Sequence, residues 1–442
     1  MKRTIKITWT RLALLPVIGV AGALLVGGSG LVSIAASSGH FAPVEWFLHW
    51  TFNRAVSTQS LPISVPDGVD LKDPILIQRA AGHFASGCAP CHGAPGELQS
   101  PLTAHMVPPP PRLEERVGEW KDRELYWLGL HGIKYSGMPS WTTQTRPDEI
   151  WSLVAFLRAL PDMTPETYAD LALGGAGGGM GGAPVPAALK PALAGLGQKS
   201  VPALADCARC HGYDGRGRGA EGAFPNIAGQ PEAYLAETLI AYANGTRESG
   251  IMTPAAGIHD QAVLRELAAW YARQDPGPAP GGDIPPPSGV TIGYEGSTRL
   301  PRGSVGPNAP ATEPPASGSA AEVDHAAAHG PPYSATGLLE LGQRLAEEGL
   351  PDRKLAACDT CHGAAGREKN PHYPRLAGQP EWFLATQLQL WKDEHRGGTP
   401  FNHVMTPIAI NLTEEQIDAL ALWYSRADPA GGAPLSSAAA GR

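Results

Sequence analysis

Three short stretches share one spacing: 88-CAPCHG-93, 206-DCARCHG-212 and 358-CDTCHG-363. They contain all six cysteines of the 442-residue chain: Cys88, Cys91, Cys207, Cys210, Cys358 and Cys361. C-x-x-C followed at once by His is the attachment signal for c-type haem. The two thiols add to the vinyl groups, and the imidazole of the next residue goes to the iron. A four-cysteine zinc site would pair two C-x-x-C units, and three units leave one over. A redox dithiol does not call for the His. The expected chemistry is three covalently attached haem c groups, with His92, His211 and His362 as axial ligands.

The second axial ligand decides what such an iron can do. A methionine thioether raises the potential and makes an electron carrier, whereas a vacant site binds small molecules. Met138, Met252 and Met405 follow their haem histidines by 46, 41 and 43 residues. Three methionines in register with three motifs predict ligation by all three. Near the first motif Met106 and Met163 compete. Met106 follows His92 by only 14 residues, too close to cross easily to the other haem face. Met163 lies beyond the last helix of its unit. His131, His259 and His403 are rival ligands expected on surfaces or loops, with His403 close enough to Met405 to need checking. Pro139, Pro254 and Pro407 stiffen the expected methionine loops. The other ring nitrogen of each haem histidine needs a partner to fix the ring. Pro225 and Pro374 stand where their carbonyls can supply it; in the first unit one of Pro108 to Pro111 does so. Gly93, Gly212 and Gly363 permit close approach or positive φ.

Three units must position these groups. The stretches 173–186 (Gly-rich) and 275–334 (Pro/Gly-rich) read as linkers. They divide the chain into a first unit at 70–172, a second at 187–274 and a third at 335–428, with a disordered tail at 429–442. Units this small have marginal cores, so haem would supply the missing apolar centre. The second and third units repeat each other. Leu196-Gly197-Gln198 matches Leu341-Gly342-Gln343, 224-FPNIAGQPEAYL-235 matches 373-YPRLAGQPEWFL-384, and Met252-Thr253-Pro254 matches Met405-Thr406-Pro407. Each unit closes on an amphipathic helix: 148–160, 262–274 and 416–426. Asp148 is the expected N-cap of the first. The predicted fold is mostly α, three small all-α units joined by linkers. The linkers make a tethered first unit a fair expectation.

The N-terminus is basic (Lys2, Arg3, Lys6, Arg11), and Leu12 to Ser38 carries no charge. A bilayer-spanning helix needs about 20 apolar residues, and the basic flank stays cytoplasmic. Residues 1–39 are therefore expected to be a membrane anchor or an uncleaved signal. The haem units would lie on the periplasmic side of a bacterial inner membrane. Residues 40–69 begin with the aromatic run 41-FAPVEWFLHWTFNRAV-56, which predicts an interfacial helix or one packed on the first unit. His40 and His49 there read as interfacial or solvated. The formal charge of −8 argues against nucleic acid.

C-x-x-C-H, a mid-unit Pro, a Met and a final helix make each unit resemble a class I cytochrome c domain. The second and third units resemble the tandem dihaem cytochromes c of the c-four type, through C-x-x-C-H-G, the F/Y-P-x-I/L-A-G-Q-P-E segment and M-T-P. The first, with 134-KYSGMPSW-141, resembles single-haem membrane-attached cytochromes. The whole is similar to the triheme cytochrome subunits of membrane-bound alcohol or gluconate dehydrogenases, though here a long linker divides the c-four-like pair. The resemblance implies an electron carrier rather than an enzyme, with redox proteins as partners. It would work between a dehydrogenase or quinol-oxidising complex and a terminal oxidase or soluble cytochrome, or as the dedicated subunit of one dehydrogenase. A dihaem peroxidase would need an open iron, which three methionines weigh against.

Overall fold

The computed structural model describes residues 8–35, 37–175, 182–277, 335–363 and 370–429. Residues 176–181 of the first expected linker, most of the second and nearly all of the tail lie outside these residues. Among them there is no β-strand, only isolated bridges at Ala94–Glu97 and Leu350–Leu355, so the molecule is helical as its periodicities predict.

The N-terminal helices are α1 (Trp9–Gly28) and α2 (Ala42–Gln59). Among the described residues no helix is long and apolar enough to cross a membrane. The single-pass anchor expected over residues 12–38 is therefore not supported. The uncharged run is broken by 27-GGSG-30: α1 stops at Gly28, and Gly30 turns the chain with φ +72°. Of the two expected settings for α2, packing on the first unit is found, through its C-terminal half. Trp46, Phe47 and Trp50 are exposed. Further along, Val56 is fully buried and Phe52 meets Trp120 of the first unit edge-on at 5.6 Å.

The first unit is built from α3 (Pro74–His83), α4 (Asp122–His131), α5 (Pro147–Ala159) and α6 (Pro165–Leu173). Asp73 caps α3, accepting from the Ile75 amide at 2.8 Å, and Pro74 and Pro147 start helices where a missing N–H costs nothing. Phe84, Ile150, Phe156 and Tyr168 form the heart of its core. Asp148 is not the N-cap expected of it. The helix starts one residue earlier, and Asp148 instead pairs with Arg79 at 3.0 Å and Arg146 at 2.9 Å. Two buried guanidiniums hold the carboxylate in place of the helix end.

The second unit comprises α7 (Ser200–His211), α8 (Glu232–Ala243), α9 (Met252–Gly257) and α10 (Gln261–Ala272); the third comprises α11 (Ala335–Glu347), α12 (Glu381–Lys392), α13 (Asn402–Ala409) and α14 (Glu414–Arg426). Their closing helices carry N-caps, Asp260 to the Val263 amide and Thr413 with Gln416 in a capping box. Leu204, Leu267 and Trp270 centre one core; Leu345, Leu420 and Trp423 centre the other. The repeated Leu-Gly-Gln acquires a reason in α11: a Cβ on Gly342 would lie 2.2 Å from the Ala419 carbonyl oxygen of α14. Only glycine lets those backbones approach so closely.

The repeated A-G-Q-P-E segments face one another. Gln230 donates to the Arg375 carbonyl and accepts from the Arg375 amide, both at 2.9 Å. Gln379 does the same to Asn226, at 2.6 and 3.1 Å. Asn226 and Arg375 occupy equivalent places after Pro225 and Pro374, so the exchange is two-fold in character. The first unit is docked as well. Arg218 pairs with Asp170 at 3.0 Å, and the Arg79 guanidinium lies 3.7 Å above the ring of Trp382 in the third unit. The tether expected from the linkers is not what the described residues form.

Candidate haem sites

Each Cys-x-x-Cys-His ends a helix or helical turn. The first follows a π-turn, Phe84–Cys88, and occupies the turn Ala89–His92; the second ends α7; the third is the turn Asp359–His362. The next residue leaves the helix with positive φ: +75° at Gly93, +71° at Gly212 and +87° at Gly363. The glycine that closes each motif is therefore a backbone requirement. The six cysteines are unpaired. Burial pushes the thiols of Cys88, Cys207 and Cys358 up to about 12 and Cys210 to about 11. Such surroundings disfavour thiolate, the form that holds zinc, and suit a neutral thioether.

The ring partners can now be assigned. His92 Nδ1 lies 2.8 Å from the Pro111 carbonyl oxygen, which selects among the four candidate prolines. His362 Nδ1 lies 2.9 Å from that of Pro374. At His211 the Pro225 carbonyl works against burial, which lowers the imidazole pKa to about 4, but no hydrogen bond closes at Nδ1. A carbonyl at Nδ1 leaves Nε2 as the nitrogen available to iron.

In the third unit Cys358, Cys361, His362 and Met405 line one cavity, with Leu384 and Leu420 among its apolar walls. Met405 is thus brought to the space the motif faces. It sits inside α13, not in the loop expected of it, and Met252 is likewise the first residue of a helix. Met252 packs against Tyr242, Ala256 and Leu264. Met138 alone occupies a loop. Its carbonyl accepts from the Ile133 amide at 3.1 Å and its amide donates to Ser136 Oγ at 3.1 Å. Of its rivals, Met163 packs on the first unit's core, while the Met106 methyl lies against Gly137. His131 meets the Trp127 ring at a tilt, centroids 5.1 Å apart. His403 is exposed.

One feature gives an independent check on haem. Arg247 is buried and Arg396 half-buried beside it, and neither forms an ion pair with a carboxylate among the described residues. Arg247 finds Thr238 and Gln387, and Arg396 lies over Trp391. Burial and the neighbouring Arg247 lower the Arg396 pKa to about 10. The two guanidiniums bring Tyr234 down to about 8 against the opposing effect of burial. Tyr234 and Arg396 line the same cavity as His362 and Met405. Two cations drawn out of water side by side without an anion call for one, and haem propionates are anionic. The residues present therefore fit haem c, whose bound form supplies a one-electron iron couple. The arginines were not marked out by the sequence, since no motif surrounds them, and Tyr234, inside the repeated 224–235 segment, carried no sign of its role. His83 was missed too. It lies 4.5 Å from the Trp141 ring, and burial lowers its pKa to about 4.

A helical unit with a half-buried C-x-x-C-H, a pinned histidine and an apolar cavity defines the class I cytochrome c. The family model described as "Cytochrome c" matches residues 177–263 and 339–424, and that described as "Cytochrome C oxidase, cbb3-type, subunit III" matches 76–157. A cytochrome c-554(548) of Halomonas halodenitrificans is 37% identical over 73 residues, 16% of this chain and 86% of the relative. The chain belongs to the multihaem class I cytochromes c. It is also 29% identical over 224 residues to a thiosulfate dehydrogenase electron acceptor of Thiomonas intermedia, covering 51% of this chain and 79% of that protein. Among solved structures it is similar to reduced cytochrome c4 from Pseudomonas stutzeri, with 22% identity, a TM-score of 0.36, and coverage of 52% of this chain and 98% of that one.

Proposed function

We propose that the protein is a triheme electron carrier of the periplasmic side. Cys88/Cys91, Cys207/Cys210 and Cys358/Cys361 hold the three haem c groups. His92, His211 and His362 bind iron on one face, and Met138, Met252 and Met405 on the other. The observation that carries the reading is the shared cavity of Cys358, Cys361, His362 and Met405. Its apolar walls suit a thioether-ligated, high-potential iron that passes electrons without binding substrate. The three units, at 70–172, 187–274 and 335–428, then form one relay between redox proteins. A dehydrogenase or quinol-oxidising complex would be the donor, and a terminal oxidase or soluble cytochrome the acceptor. Pyridine haemochrome analysis should give three haems per chain, and the ferric protein should show the methionine–iron charge-transfer band. Fewer haems, or no such band, overturns it.

A second reading makes the protein the dedicated electron acceptor of one dehydrogenase. It is favoured by the Thiomonas relative, whose name describes such a role and of which this chain covers 79%. A catalytic subunit co-purifying from detergent extracts would support it over the general carrier. Attachment to a membrane is supported by the exposed apolar side chains of α1 and by Trp46, Phe47 and Trp50 of α2.

A further inference from the structure

Glu149 is 2% exposed, yet no haem motif lies near it in sequence. Its carboxylate gathers groups from two units. Oε2 accepts from Trp141 Nε1 at 3.1 Å and from the Gly250 amide at 2.6 Å. Oε1 accepts from Ser249 Oγ at 2.6 Å and lies 3.0 Å from Arg146 Nη1. Trp141 is three residues past Met138. Its own amide donates to the Leu130 carbonyl at the end of α4, and the Ile133 amide donates to the Met138 carbonyl, so the loop is one braced piece. Ser249 is three residues before Met252 and accepts from the Met252 amide at 3.0 Å. Gly250 packs so tightly on the Trp141 indole that a Cβ would stand 1.8 Å from Nε1. The same two units also meet on their attachment sides. A Cβ on Gly82, in the helix leading to Cys88, would lie 2.6 Å from Cys210 Sγ.

We infer that Glu149 is a positioning residue shared by the first and second haem sites, holding the Met138 segment and the Met252 segment on one buried carboxylate. The inference rests on the proposed axial roles of those methionines. Burying a carboxylate is costly unless every lone pair is used, and here four donors converge on it. With glutamine in its place, an NH2 group must face at least one of those donors, so one buried partner is lost. Both methionine segments then loosen together. The third site, whose Met405 lies in a different unit and a different cavity, is outside this link.

The test uses the full-length, haem-loaded protein. Met138→Ala, Met252→Ala and Met405→Ala first assign each haem's methionine–iron band and midpoint potential. Glu149→Gln is expected to weaken the bands and shift the midpoints of the first and second haems together, leaving the third unmoved. Glu149→Asp should restore part of the loss. Trp141→Phe should move the first haem alone and Ser249→Ala the second alone. These side-specific variants keep the test sharp if Glu149→Gln assembles poorly. Glu119→Gln, an exposed surface change, should move none. A Glu149→Gln effect on one haem only, on all three equally, or on none overturns the proposal. Absence of the band from the unaltered protein is a separate failure, of the ligand assignment itself, and the proposal falls with it.

Discussion

At the residue scale the chemistry of attachment was legible, because two cysteines and a histidine at fixed spacing specify it. The partners that tune it were not. Arg247 and Arg396 come from different units, and sequence cannot show that they meet around Tyr234. Their charge should matter: a buried cation disfavours ferric iron, so Arg396→Gln is expected to lower the midpoint potential of the third haem, measured by spectroelectrochemical titration. His83 adds a pH dependence. Its folded pKa of about 4 lies below the ordinary 6.5, so between those values the unfolded chain binds more protons. Stability is therefore fully present above about 6.5 and is lost as pH falls toward 4. Denaturant midpoints across that range should fall with acid, and His83→Phe should flatten the slope.

At the scale of elements, the closing helices, the Leu-Gly-Gln repeat and the methionine register were all visible as periodicity and repetition. Asp148 was misjudged because a carboxylate near a helix start is usually a cap. Only the fold reveals Arg79 and Arg146 beside it. The A-G-Q-P-E repeat was visible too, but its use was not, since each glutamine's partner lies 145 or 153 residues away. The stacking of Arg79 on Trp382 joins elements still further apart. Trp382 also donates to the Gly222 carbonyl at 2.7 Å. Trp382→Ala should therefore speed amide exchange in α3 as well as in the loop around Gly222, at a cost of roughly 1–3 kcal/mol. The exposed side of α2 makes a different prediction. Replacing Trp46, Phe47 and Trp50 with Ser should release more of the protein from membranes under mild extraction, read by sedimentation.

At the scale of the molecule, the linkers suggested a tethered first unit, and the described contacts make a docked assembly instead. A protease site inserted into 275–334 and cut should leave the third unit eluting with the rest in gel filtration. Only denaturant should separate them. Gln230 and Gln379 give and take the same two hydrogen bonds at equivalent places, so the contact is isologous although one polypeptide makes both halves. Each unit carries a complete copy of the handshake, glutamine and recipient backbone alike. The second and third units meet as the halves of a symmetric dimer do, and either unit expressed alone with its haem would be expected to pair with itself.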